Sequence, residues 1–280
     1  MPIVLYLTTD CNLNCEYCYE ADNREQLKQQ LELDMDAAIK QMEESYLDRE
    51  NQGNCVVLFG GEPFLRYDLM KQIFEYNRSK FNNYYCFSIN TNALLLTEEM
   101  LSEIKEYMKD MIITVVISYD GIGTYRRVHY DGTSAKNEIE EKIELINKMQ
   151  MPFGISYTIH KGNYRINDIV KDTVILFEKY KYLDKIEFSY YTDELDDVTD
   201  DTHQHIYNLL QKLVSVYKIY HKPMCCSKLN IENHENVTSP ICKLCHRCNV
   251  NDNRIYVTKN GVIKKDRYES DGKFNQWKDE

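Results

Sequence analysis

The sequence predicts an α/β fold: a partial (β/α)6 TIM-like barrel followed by a small cysteine-rich domain containing a β-hairpin. Three observations predict it. From residue 3 onward, short apolar runs alternate with longer segments of helical period, the pattern of repeated βα units. The units number six, fewer than the eight of a closed barrel, so the sheet is expected to stay open. Beyond residue 221 the texture changes to a cysteine-rich stretch. The expected division is therefore residues 1–221 for the barrel and 222–280 for the second domain.

The strand-like runs are Ile3 to Leu7, Cys55 to Phe59, Tyr85 to Ile89, Ile112 to Ser118, Phe153 to Ile159 and Lys185 to Tyr190. Several are apolar on consecutive residues, as strands covered on both faces are. A helical segment follows each. Between Thr97 and Lys109, Leu101, Ile104 and Met108 share one face, Thr97 suits the N-cap, and Glu98 and Glu99 suit the positive end of the helix dipole. Ile139, Ile143 and Ile146 repeat the spacing in the next helix. Right-handed crossovers make all six strands parallel, with helices outside. After a last long helix over residues 200–221, RIYVTKNGVIKKD signals a hairpin turning at Asn260-Gly261.

Composition narrows the function classes. With 43% hydrophobic and 28% charged residues the chain is globular in type, and a net charge of -11 works against a generic grip on nucleic acid or anionic membrane. Neither partner is expected. The first ten residues carry no basic leader, and no run of 18 apolar residues occurs, so a cytoplasmic location is expected.

The ten cysteines are unevenly placed. Cys11, Cys15 and Cys18 form one group, and Cys225, Cys226, Cys242, Cys245 and Cys248 form another. In a long chain without a secretory leader, this spacing reads as metal or cluster ligation and not as a disulfide framework. Cys55 and Cys86, inside the apolar runs CVVLF and YYCFSI, read as buried small hydrophobes.

CNLNCEYCYE spaces its thiols C-x3-C-x2-C on the loop after the first strand, at the sheet edge where barrel folds place active sites. Three thiolates from one loop can hold three irons of a cubane and leave the fourth iron open. Structural zinc is the competing reading. It would want a fourth ligand, with Asp10 and Glu16 nearby and the nearest histidine at His129.

With Tyr17 before the third cysteine, this segment resembles the radical S-adenosylmethionine (radical SAM) superfamily. Three further segments match in order: FGGEP at Phe59 to Pro63, INTNALLL at Ile89 to Leu96, and ISYDG at Ile117 to Gly121. Each also has a plain structural reading, as an ordinary strand-to-helix turn or an Asp-Gly turn. The resemblance covers residues 3 to about 191. It implies a catalytic 4Fe-4S cluster on Cys11, Cys15 and Cys18, and S-adenosylmethionine (SAM) bound by Tyr17, Gly60, Gly61, Glu62, Pro63, Asn92, Ser118 and Asp120. Adjacent glycines let backbone approach a ligand, and Glu62 is suited to accept from an ammonium. Ser118 and Asp120 suit a ribose. Ala93 departs from the family's Thr-Asn-Gly. The implied chemistry is one-electron cleavage of SAM to a 5'-deoxyadenosyl radical that takes a hydrogen atom from an unactivated C–H bond, and an electron donor such as flavodoxin or ferredoxin is implied with it.

ICKLCHRC matches the first three ligands of a ferredoxin run. The segment also resembles the SPASM or twitch cluster domains of peptide-modifying radical SAM enzymes. There the hairpin glycine is followed by four residues and then a cysteine, whereas here Gly261 is followed at that spacing by Asp266. An auxiliary 4Fe-4S cluster is expected on Cys242, Cys245 and Cys248, its fourth ligand drawn from Cys225, Cys226, Asp266 or a bound substrate. Zinc completed by His234 or His246 remains the competitor, and Cys225 or Cys226 as a hydrogen-atom donor is a third reading. The resemblance implies a precursor peptide as substrate, with a small molecule of cofactor biosynthesis and a non-catalytic metal protein as alternatives. Since the first strand begins at residue 3, leader binding is expected to use the barrel or a separate protein. His203 and His205, and the acidic run Asp193 to Asp201, read as a helix start and a solvated loop.

Overall fold

Strand β1 (Ile3–Thr8) is buried along its whole length. It pairs in parallel with β2 (Cys55–Gly60), and β2 pairs in parallel with β3 (Cys86–Thr91). The computed structural model describes residues 3–18, 35–49, 54–190, 200–220, 222, 255–258 and 261–264. Its other strands are β4 (Ile113–Ser118), β5 (Phe153–Ile159), β6 (Leu183–Tyr190), β7 (Ile255–Thr258) and β8 (Gly261–Lys264). One sheet runs in the order β6-β5-β4-β3-β2-β1-β7-β8. Strands β1 to β6 are its parallel part, and the sheet does not close, giving the open, partial TIM-like barrel that six βα units predict.

The helices are α1 (Met35–Leu47), α2 (Tyr67–Phe81), α3 (Glu98–Tyr107), α4 (Lys136–Lys148), α5 (Ile166–Lys179) and α6 (Asp200–Ile219). Helix α2 buries Leu69, Met70, Ile73 and Phe74 at helical spacing, and Phe74 meets Phe87 of β3 edge-on at 4.9 Å. Buried Asn77 staples this helix to the start of β3, donating to the Tyr85 carbonyl and accepting from its N–H, both at 3.1 Å. Helix α3 starts as expected: the Thr97 hydroxyl accepts from Met100 N at 3.1 Å, and Leu101 and Ile104 face inward. Ile139, Ile143 and Ile146 are buried along α4.

The chain divides into two compact units: Met1–Val116, Val128–Thr133 and Asp252–Glu280 in one, Ile117–Arg127 and Ser134–Asn251 in the other. Within the first, β7 and β8 form the expected antiparallel hairpin, with Thr258 opposite Gly261, and β7 pairs in parallel with β1. Within the second, β5 and β6 pair in parallel, and the Tyr217 hydroxyl of α6 donates to the Ile186 carbonyl at 2.9 Å.

One expectation is corrected. Only β1 of the first three strands is covered on both faces; β2 and β3 alternate half-buried and buried positions. Cys55 and Cys86 are consequently half-exposed rather than buried. They sit opposite each other as the first residues of β2 and β3, on the face that carries Val57 and Ser88, away from the Phe87 face that meets α2.

Candidate active site

Because β1, β2 and β3 run parallel, their last residues, Thr8, Gly60 and Thr91, lie along one edge of the sheet. The cysteine loop leaves β1 at that edge. Buried Leu13 and Tyr17 root it in the core, while Cys11, Cys15 and Cys18 stay half-exposed. A turn brings Cys18 N to the Cys15 carbonyl at 3.0 Å. The segment at 128–133 supports the loop from outside: Asn14 N donates to the Val128 carbonyl at 2.8 Å, and the Tyr130 hydroxyl donates to the Cys11 carbonyl at 3.1 Å.

The GGEP segment packs directly on this loop. Gly61 N donates to the Thr8 carbonyl and Glu62 N to the Asp10 carbonyl, each at 2.8 Å. A Cβ on Gly60 would stand 2.1 Å from the Thr8 carbonyl oxygen, one on Gly61 2.3 Å from that of Asp10, and Gly60 has φ +137. The paired glycines therefore permit close approach to the chain's own cysteine loop, a reason the sequence alone did not supply. Glu62 is fully buried. Its Oε1 accepts from Phe64 N at 3.1 Å and Thr91 Oγ1 at 2.7 Å, and its Oε2 accepts from Asn92 N at 2.7 Å. Burial pushes this carboxyl up to about 7 even though all three donors pull it down. Pro63 opens the 3₁₀ turn Pro63–Arg66 that Glu62 caps.

Asn92 is 7% exposed and reaches back to the cysteine loop. Its Nδ2 donates to Asn12 Oδ1 at 2.7 Å and to Cys11 Sγ at 3.7 Å. Ala93, where the family has glycine, holds φ +71. Cys11 Sγ also accepts from Leu13 N at 3.5 Å. Burial is the main cause that pushes the Cys11 thiol up to about 12, and Glu62, Cys15 and Cys18 add to it electrostatically.

The second unit holds Ser118, half-buried at the end of β4, and Asp120, which is fully buried. Asp120 is forked by Arg127, Nε to Oδ2 at 2.8 Å and Nη2 to Oδ1 at 2.9 Å, and accepts from Thr158 N at 2.8 Å. Its carboxylate thus fixes the loop after β4 to the end of β5. His205 stacks on Tyr164 at 3.8 Å, and burial holds its pKa below the usual value. Cys225, Cys226, Cys242, Cys245, Cys248 and Asp266, and the residues 193–199 of the acidic run, lie outside the described residues.

The structure thus gathers Cys11, Cys15, Cys18, Tyr17, Gly60, Gly61, Glu62, Pro63 and Asn92 within one unit. Asn12, Thr91 and Tyr130 join them. Asn12 had no sequence signal beyond its place beside Cys11, and Tyr130 had none. The donor set is three thiols on one short loop, and a cubane takes one thiolate at each of separate corner irons.

The radical SAM superfamily model matches residues 5–173, and the chain belongs to that superfamily. It is 31% identical over 166 residues to the uncharacterized protein MJ0907 of Methanocaldococcus jannaschii, covering 58% of this chain and 54% of that protein. It is 28% identical over 266 residues to a GTP 3',8-cyclase of Clostridium botulinum, covering 92% and 78%. A solved structure of native anSMEcpe with bound AdoMet and Cp18Cys peptide shares the fold, with a TM-score of 0.59, 17% identity, and coverage of 79% and 61%. The chain spans 54% of the Methanocaldococcus protein's length, and 38% of that of a radical SAM cyclopropyl synthase, TigE, of Paramaledivibacter caminithermalis. Among the described residues, no helix is long and apolar enough to cross a membrane.

Proposed function

We propose that this radical SAM enzyme acts on a ribosomally made peptide, with Cys11, Cys15 and Cys18 as the cluster ligands. The observation that carries the catalytic assignment is the seating of these three thiols on one loop at the C-terminal end of β1, packed on Gly60–Glu62 and bonded by Asn92. When bound, the cluster and SAM supply a one-electron cleavage that releases a 5'-deoxyadenosyl radical. The chain's own residues do the rest. Leu13 and Tyr17 root the loop, Glu62 ties the ends of β2 and β3 together, and the glycine pair lets the β2 end lie against the loop without a gap.

Support for the peptide comes from the ICKLCHRC segment, which resembles the SPASM or twitch domains of peptide-modifying members, and from a structural relative described with a bound peptide. On this reading Cys242, Cys245 and Cys248 hold an auxiliary cluster, and a flavodoxin or ferredoxin supplies electrons. A second reading, a small-molecule substrate, is favoured by the GTP 3',8-cyclase of which this chain covers 78%.

One experiment separates them. The anaerobically reconstituted chain is reduced with SAM present, and 5'-deoxyadenosine is measured with GTP, with candidate precursor peptides encoded beside the gene, or with neither. Peptide-stimulated formation that Cys15→Ala abolishes supports the first reading. Stimulation by GTP alone overturns it in favour of the second.

A further inference from the structure

We propose that Asn92 is a positioning residue that donates from Nδ2 to the Cys11 sulfur and thereby raises the reduction potential of the cluster held there. The inference rests on the reading of Cys11, Cys15 and Cys18 as cluster ligands and assigns Asn92 a task beyond cofactor contact.

The amide orientation is fixed by its surroundings. Asn92 Oδ1 accepts from Leu94 N at 3.0 Å, so the oxygen is committed to the turn after β3 and the NH2 group must point the other way. That group has two N–H bonds and two acceptors in reach, Asn12 Oδ1 at 2.7 Å and Cys11 Sγ at 3.7 Å. The backbone is held as firmly, since Asn92 N donates to buried Glu62 Oε2 at 2.7 Å and Ala93 N to Thr91 Oγ1 at 2.9 Å. Asn92 therefore approaches Cys11 from a braced position on a strand end.

Ligation changes what surrounds the sulfur. As a thiol, Cys11 can also donate weakly to Asn12 Oδ1, 4.0 Å away. A ligating thiolate has no proton to give, so its hydrogen bonds are those it accepts, from Leu13 N at 3.5 Å and Asn92 Nδ2. Asn92 meanwhile holds the Asn12 oxygen by the shorter of its two bonds. Reduction adds negative charge shared by the sulfurs, and N–H donors aimed at them favour the reduced state. The backbone donor is fixed whatever the sequence. The Asn92 donor is a side chain that substitution can remove.

The test is a potentiometric titration, followed by electron paramagnetic resonance, of the reconstituted full chain and of Asn92→Ala and Asn92→Asp. Iron is counted in each, and the signal is assigned by its loss in Cys15→Ala. Asn92→Ala is expected to load iron with a more negative potential. Asn92→Asp, which keeps the bond to Leu94 N but presents an oxygen in place of the donor, is expected to be more negative still. Equal potentials in parent and variants overturn the inference. Failure of both variants to load iron, where the parent loads, also overturns it, in favour of a purely structural role. If the parent itself takes up no iron that depends on Cys15, the ligand reading beneath the inference has failed instead.

Discussion

Glu62 Oε2 accepts the backbone N–H of Asn92 at 2.7 Å, joining the ends of two neighbouring strands beneath the cysteine loop. The carboxyl is fully buried and its pKa stands at about 7 against an ordinary 4.5. A proton is therefore held in the folded state through a range where the unfolded chain has released it.

Stability follows from the sign of that difference. The contribution of Glu62 is fully present below about pH 4.5 and is lost as pH rises towards 7, by about 3 kcal/mol in all. Glu62→Gln cannot ionise, and it keeps the contacts to Thr91 and Asn92 if its amide nitrogen takes the place of Oε1. Denaturant unfolding of the metal-free parent and variant across this range should show Glu62→Gln gaining on the parent as pH rises. A difference that does not change with pH would refute the assignment.

Ala93 occupies the left-handed region at φ +71 and is fully buried. A left-handed conformation costs an L-residue about 1–2 kcal/mol, and a β-branched side chain tolerates it worse than a methyl group does. Ala93→Val should lower stability by about 2 kcal/mol or more, with the turn that aims Asn92 disturbed. Ala93→Gly removes the strain but also a buried methyl and some unfolded-state restriction, so its stability should stay within about 1 kcal/mol of the parent. Thermal unfolding of the pair decides this: equal losses for both variants would mean that backbone strain is not what limits the position.

Thr97 offers a cleaner local test. Its hydroxyl caps α3 through Met100 N at the exposed start of the helix. Thr97→Ala should cost about 1 kcal/mol, and Thr97→Ser should restore most of it. A loss that serine does not recover would point to the methyl group instead of the cap.

How much of this was legible depended on whether the determining interaction was local. The cap at Thr97 and the stripe of Ile139, Ile143 and Ile146 are set by neighbours in sequence, and the structure repeats them. The alternating burial of β2 and β3 is decided by which face a helix covers, so Cys55 and Cys86 could not be placed from their apolar neighbours. The motif residues of the site were visible, but the logic connecting them was not. Glu62 and Asn92 are brought together only by parallel pairing of β2 with β3, and Asn12 becomes a partner only when Asn92 arrives. The sequence likewise showed Asp120 as a polar group at a strand end without showing that Arg127 would enclose it.

That enclosure carries the last prediction. Arg127, 8% exposed, holds fully buried Asp120 by two parallel bonds of 2.8 and 2.9 Å. A buried forked pair gains little over an apolar replacement of both partners, but removing one partner strands the other's charge. Arg127→Met keeps the bulk of the stem and takes both guanidinium bonds from the Asp120 carboxylate, which keeps the bond from Thr158 N. The loss should be about 3 kcal/mol. Pairing it with Asp120→Leu should cost less than the sum of the two single losses, because the second change removes the stranded charge. Denaturant unfolding of the double-mutant cycle measures this directly. Strict additivity would mean that Arg127 stabilises the loop after β4 by packing alone, and that the charge on Asp120 is satisfied without it.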